Sequence, residues 1–219
     1  MIAYRHTSEK YARSAVMQGN FRLWPLSYFR NLEDAGSLIP DELEGLVRGH
    51  SGSFDSTDYA EKLKAAKAFG GVGLFGGNFE TMASKVHRIS VTDCVFENTV
   101  DPGYVLCLSE DKISSSLESE GRASTVVVSD VYALATAIYL DHASILGVPL
   151  VGKVQYGPRE WKILEDSQLF PDVFVKRPTF SAQNEIRIFW PAIKELDFVD
   201  VNCAAAREYL DLATPPPEA

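Results

Sequence analysis

The chain has few of the residues from which many sites are built. Its three cysteines, Cys94, Cys107 and Cys203, are scattered, odd in number and form no CxxC pair. That argues against a disulfide framework and predicts buried structural thiols in a reducing compartment. No run of lysine and arginine occurs, and the formal net charge is -9 with a pI near 5.0. The long-range field therefore repels phosphate backbones, and only a local basic cleft could hold a nucleic acid. The longest apolar stretch, near 131–140, is too short to cross a bilayer. The first ten residues, MIAYRHTSEK, are polar by the fifth and do not read as a signal peptide. Together these absences predict a soluble cytoplasmic protein. The glycine-rich stretch FGGVGLFGGNF at 69–79 lacks the lysine of a Walker loop and any clear GxGxxG before a helix, so it reads as a loop or hairpin.

What is present suits one folded body. Hydrophobic residues make up 46% and charged residues 23% of 219 positions, enough for an ordinary core. We expect one domain over 1–219, with 46–82 an inserted or flexible excursion whose start, LVRGHSGSFDSTDYA, is small and polar. Residues 2–6 read as a first strand. Thr7 or Ser8 would cap a helix over 9–19 that Gly19 ends, with Tyr11, Ala15 and Met17 on its inner stripe. FRLWPLSYFR reads as a short strand or bend punctuated by Pro25, and 61–69 as a short helix. Strand patterns follow in VHRISVTDCVF, YVLCLSE and STVVVSD, then a helix over 130–142 and a strand over 151–157. A helix or turn is expected over 159–170, a final strand or hairpin over 173–189 and a terminal helix over 204–212. Strands and helices without regular βαβ alternation predict an α+β fold rather than a doubly wound sheet.

Three stretches carry candidate chemistry. In YRHTS, Arg5 is suited to clamping a phosphate or carboxylate, and His6 to holding a ribose hydroxyl or acting as a base. Neighbouring strand residues face opposite ways, so only one of the two is expected in a given cleft. In PLSYFRNLEDAGSLIPDELEG, Tyr28 and Phe29 border a polar loop, as aromatics flooring a pocket do. Five carboxylates between Glu33 and Glu44 follow Arg30. They read either as a solvated acidic loop or as ligands for a hard cation, although the spacing is not that of an EF-hand. In FSAQNEIRIFW, Gln183, Glu185 and Arg187 alternate with Asn184, Ile186 and Ile188 and would share one strand face. That face is either solvated or catalytic, since a carboxylate there could steady an oxocarbenium-like sugar.

Residues 4–8 and 181–187 together resemble the ADP-ribosyltransferase superfamily. YRHTS is similar to its first-strand motif, and AQNEIRI to its late Gln/Glu-x-Glu strand, including that of the DarT-like nucleic-acid transferases. FRLWPLSYFRNLED with FVKRPTFSAQNEIRI also resembles a broad bacterial family of unknown function whose late strand carries a K…E.E.R pattern. The resemblance covers about a tenth of the chain, and the middle strand motif is absent in strict form; LCLSE or STVVVS would stand in for it. It implies an α+β fold of mixed, mainly antiparallel split sheets with flanking helices, and NAD as substrate in a cleft between two small sheets. It implies contacts from Arg5, His6 and Thr7, stacking by Tyr28, help from Arg30 on the diphosphate, and catalysis by Glu185 with Gln183 and Arg5. It further implies a protein or nucleic-acid acceptor, no metal, no membrane, and a toxin or phage-defence effector with an antitoxin or inhibitor as partner. Two other readings stay open: a metal-dependent hydrolase or nuclease using Glu33, Asp41 and Glu44 with Glu185, and a binding module without catalysis.

Overall fold

The computed structural model describes residues 1–30, 46–50, 54–71, 84–85, 87–91, 95–99, 102–112, 124–157, 160–162 and 173–213. The chain divides into two compact units. The first comprises Met1–Glu44, Asp101–Gly157 and Val173–Ala219, and the second Gly45–Val100 and Pro158–Asp172. The excursion expected over 46–82 falls in the second unit.

In chain order the first elements are β1 (Ala3–Thr7), α1 (Glu9–Gln18), β2 (Asn20–Pro25) and a 3-10 turn (Leu26–Arg30). Then come β3 (Leu46–His50), β4 (Phe54–Ser56), α2 (Tyr59–Gly71), β5 (Ile89–Val91) and β6 (Val95–Thr99). β7 (Gly103–Ser109), β8 (Ser124–Val128), α3 (Val131–Asp141), β9 (Leu150–Lys153), β10 (Gln155–Tyr156) and β11 (Glu160–Lys162) follow. The last are β12 (Val175–Lys176), a 3-10 helix (Pro178–Gln183), β13 (Glu185–Pro191), β14 (Val199–Asn202), a 3-10 helix (Ala204–Tyr209) and β15 (Leu210–Leu212).

The first unit is built on an eight-stranded sheet in which every pairing is antiparallel. Its order is β14-β2-β7-β1-β8-β15, with β13 also on β7 and β9 beyond β13. The expected α+β class with a mainly antiparallel sheet is thus present. One face of the sheet is apolar: Ala3, Phe21, Leu23, Leu106, Leu108, Val126, Ile186, Ile188 and Trp190 are buried in the core with Ala12 and Ala15 of α1 and Leu134 and Ile138 of α3. Burying each Leu or Ile of α3 contributes roughly 1.5–3 kcal/mol. Asp130 caps α3 by accepting from the N–H groups of Tyr132 at 3.0 Å and Ala133 at 3.4 Å. Among the described residues no helix is long and apolar enough to cross a membrane.

In the second unit β3 lies between β6, antiparallel, and β11, parallel, while β4 pairs with β5. Asp58 caps the start of α2 by accepting the Glu61 N–H at 3.0 Å. The start of the polar excursion therefore forms paired strands: Val47 and Arg48 pair with Asn98 and Glu97 of a distant segment, and such a partner leaves no local signal.

Several expectations need correction. The inner stripe of α1 is Ala12 and Ala15, whereas Tyr11 and Met17 are exposed at 63% and 65%. The small alanines let the helix lie close on the sheet, and the larger side chains fit only outward. Within 159–170, residues 160–162 form a strand, not a helix. Residues 204–212 are a 3-10 helix running into a strand, because Leu210–Leu212 pair with β8. The strand ending near 189 is not the last, since β14 and β15 follow it. Gln183 is not on the strand with Glu185: it ends a 3-10 helix, and Asn184, at φ 39°, turns the chain before β13 begins.

Gly19 ends α1 as expected, at φ 70°, with its N–H on the Ala15 carbonyl. A Cβ there would lie 1.9 Å from the carbonyl oxygen of Cys203. Gly19→Ala combines left-handed strain with a backbone clash, so we expect a loss of roughly 2–5 kcal/mol, read as a lower urea midpoint. An unchanged midpoint would show that the turn is not a constraint.

Candidate functional site

The site arises from the way β7 is shared. One edge of β7 pairs with β13 from Gly103 to Ser109. The other edge pairs with β2 only at Tyr104 and Val105, and with β1 only at Ser109. Among the described residues Leu106, Cys107 and Leu108 thus have no ladder partner on that side, and β1 and β2 part to leave a fork. A cleft of about 750 Å³ opens there, floored by Val105, Leu106 and Cys107. Arg5, His6 and Thr7 form one wall, and Asn20, Phe21, Arg22 and Trp24 the other. Tyr28 and Phe29 join the second wall, and Tyr11 and Ser14 reach the cleft from α1.

Both Arg5 and His6 line this cleft, although only one was expected to. Arg5 pairs across β1–β8 with the core residue Val126, and His6 with Thr125, so they do face opposite ways. The cleft passes through the split and meets both faces, which an unbroken sheet would separate. Arg5 sets its guanidinium 5.4 Å from the centre of the Phe21 ring. His6 Nε2 donates to the Asp111 carbonyl at 3.0 Å, which leaves Nδ1 to accept from the Thr125 hydroxyl at 3.0 Å in the neutral ring. Both nitrogens of His6 are thus used inside the protein, so the ring braces the wall rather than offering a base.

The opposite wall is an aromatic–cation ladder. Trp24 stacks on Tyr28 at 4.0 Å and 15°, and Phe29 meets Tyr28 edge-on at 5.6 Å. Arg22 lies 5.6 Å from the Trp24 ring and 4.1 Å from Phe198, and grips Asp200 through two bonds of 2.7 and 2.8 Å. That ion pair is exposed, and the cross-strand register, Asp200 opposite Arg22, sets it. Sequence reading passed over Arg22 and Trp24, yet the alternation Asn20, Arg22, Trp24 against Phe21 and Leu23 carried the signal.

Glu185 stands behind the cleft floor and does not line the cleft. It is 4% exposed and Arg187 2%, so the polar face of β13 is neither solvated nor open. Arg187 Nε donates to Glu185 Oε1 at 2.5 Å and Nη1 to the Val173 carbonyl at 2.5 Å. Lys176 Nζ donates to Glu185 Oε2 at 2.7 Å and to Gln183 Oε1 at 2.8 Å. Gln183 is off the strand, but Lys176 joins it to Glu185. The Tyr156 hydroxyl accepts from the Glu185 N–H at 2.8 Å. Burial pushes the Glu185 carboxyl up, but the charges and hydrogen bonds of Arg187 and Lys176 outweigh burial and bring it down to about 2. Cys107, opposite Arg187 in the ladder, touches both the cleft and Glu185. Burial, then the negative Glu185, push its thiol up to about 12, so it is no nucleophile at neutral pH.

Arg5, His6, Thr7 and Tyr28 therefore meet at one cleft, with Glu185 behind Cys107 of its floor and Gln183 joined to Glu185 through Lys176. Arg30 is placed only as the last residue of the 3-10 turn. Glu33, Asp41 and Glu44 lie outside the described residues. Among the described residues no three His, Cys, Asp or Glu gather closely enough to hold a metal ion. No protein-family model, curated protein or solved structure matches the chain.

The Glu185 network has a pH consequence. The carboxyl titrates near 2 when folded against an ordinary 4.5, so its stabilisation is present above 4.5 and is lost as pH falls from 4.5 to 2. The shift corresponds to an order of magnitude of about 3 kcal/mol. Glu185→Gln should flatten this part of the acid-unfolding curve relative to wild type. Parallel curves would mean that the network does not hold the carboxylate ionised.

Proposed function

We propose that the protein is an NAD-dependent ADP-ribosyltransferase whose substrate binds in the fork cleft. The observation that carries this reading is the meeting of Arg5, Thr7 and Tyr28 at one split in an antiparallel sheet, beside the strand that bears Glu185. Arg5 supplies positive charge for a diphosphate, and the Trp24–Tyr28 stack supplies flat faces for nicotinamide or adenine. In the reaction the bond between the nicotinamide nitrogen and ribose C1′ breaks, and nicotinamide leaves with the electron pair. An acceptor nucleophile then forms the new bond at C1′ and gives up its proton. The role of Glu185 is to oppose the positive charge that develops on the ribose, the electrostatic contribution that usually dominates such catalysis. The acceptor is a protein or a nucleic acid, and the biological role a bacterial or phage toxin or defence effector in the cytoplasm, with an antitoxin or inhibitor as partner.

A second reading, a nucleotide-binding module without catalysis, is favoured by the engagement of both Glu185 oxygens by cations. Calorimetry with NAD and an assay of nicotinamide release separate the two. We expect NAD to bind, Arg5→Ala to weaken binding by about tenfold, and Glu185→Gln to bind normally while release falls by about a hundredfold. Binding without release from wild type selects the module, and absence of binding rejects both readings.

A further inference from the structure

We propose that Lys176 is a latch on Glu185, holding the carboxylate behind Cys107 until a ligand in the fork cleft draws the two apart. The proposal rests on the transferase reading and concerns the regulation of that same site. Each Glu185 oxygen is committed to one cation, Oε1 to Arg187 and Oε2 to Lys176. In that state the carboxylate has two positive charges at hydrogen-bond distance. Together they oppose a further positive charge nearby, which is the charge that departure of nicotinamide creates. Work by Glu185 on the ribose therefore requires one cation to leave.

The two cations are not equally movable. Arg187 sits in mid-β13 with ladders to both β7 and β9, and its guanidinium also holds the Val173 carbonyl. Lys176 ends β12, which among the described residues pairs with β10 at two positions. Its side chain is 12% exposed, on a flexible four-carbon stem. The Phe180 ring, 5.0 Å from the ammonium, and the Gln183 amide oxygen offer it support away from the carboxylate. With Lys176 displaced, Arg187 still keeps Glu185 ionised, and one oxygen is released toward Cys107 and the cleft.

The test is Lys176→Met, assayed for nicotinamide release from NAD beside wild type and Lys176→Met/Glu185→Gln. We expect release to rise about tenfold over wild type and the double variant to be inactive. Wild-type release that Lys176→Met does not exceed overturns the latch and leaves the transferase reading standing. Release from none of the proteins removes both. Should the methionine variant fail to fold, amine labelling of wild-type Lys176, read by mass spectrometry, replaces it. Labelling should quicken on NAD binding, and an unchanged rate with NAD bound overturns the latch.

Discussion

A β-strand has two edges, and β7 serves three neighbours. One edge is taken along its length by β13, so β1 and β2 must divide the other. Neither can extend fully along it without displacing the other, and among the described residues a stretch of β7 stays without a partner. Strand edges of this kind are usually covered or paired, because unpaired backbone groups cost free energy. Here no described strand covers the edge, and the cleft lies against it. The short link through α1 enforces this: β1 runs into the helix, Gly19 reverses the chain where only glycine fits, and β2 returns at a distance set by the helix between them. The cleft is thus a consequence of topology before it is a matter of side chains.

The same shared strand explains how a buried ion cluster stands beside a solvent-accessible cleft. Glu185 and Arg187 lie opposite Ser109 and Cys107 on β7, on the face away from the main core. Two charged groups there would be costly alone, and removing one partner of such a buried pair is more damaging than never having the pair. The chain covers them with Val173, Lys176 and Tyr156, each bonded to the cluster. The cost of burying Glu185 is offset by fixed cations, and the same bonds tie a short, weakly paired ribbon to the sheet. Stability and access to Glu185 are set by the same few contacts.

How much of this was legible in the sequence follows the range of the interactions. The C-terminal end of α1 was readable because the turn at Gly19 is local, whereas Ser8 stands at the N-cap position without a capping bond from its side chain. The alternation of Glu185 and Arg187 was readable because strand periodicity is local too. Gln183 was misplaced because Asn184 adopts a left-handed turn, a freedom that asparagine has and that an alternation pattern ignores. Burial of Glu185 was not readable, since its cover comes from residues about ten positions upstream and from Tyr156. Nor was the fork, since sheet order is set by pairings such as Tyr4 with Ser109 that no window of the sequence contains. Ala15 holds the inner face of α1 as expected, but beside it lies Ala12 and not Tyr11 or Met17, because close packing on a sheet selects by size as well as polarity.

The fork also changes what a strand motif can mean. In an unbroken sheet, adjacent residues such as Arg5 and His6 serve different faces and different partners. At a split, both faces open on one cavity, so consecutive side chains can act on a single ligand. In β1 the two have divided the work: Arg5 presents charge over the Phe21 ring, while His6 spends both nitrogens holding Thr125 and the Asp111 carbonyl. Asp111 in turn accepts from Asn184, and the adjoining Ser109 hydroxyl donates to the Gln183 carbonyl. A chain of bonds thus runs from the first strand, through the end of β7, to the turn that positions Glu185. This brace connects the early and late motifs although no residue of 181–187 lines the cleft, and the distance between them is fixed by hydrogen bonds.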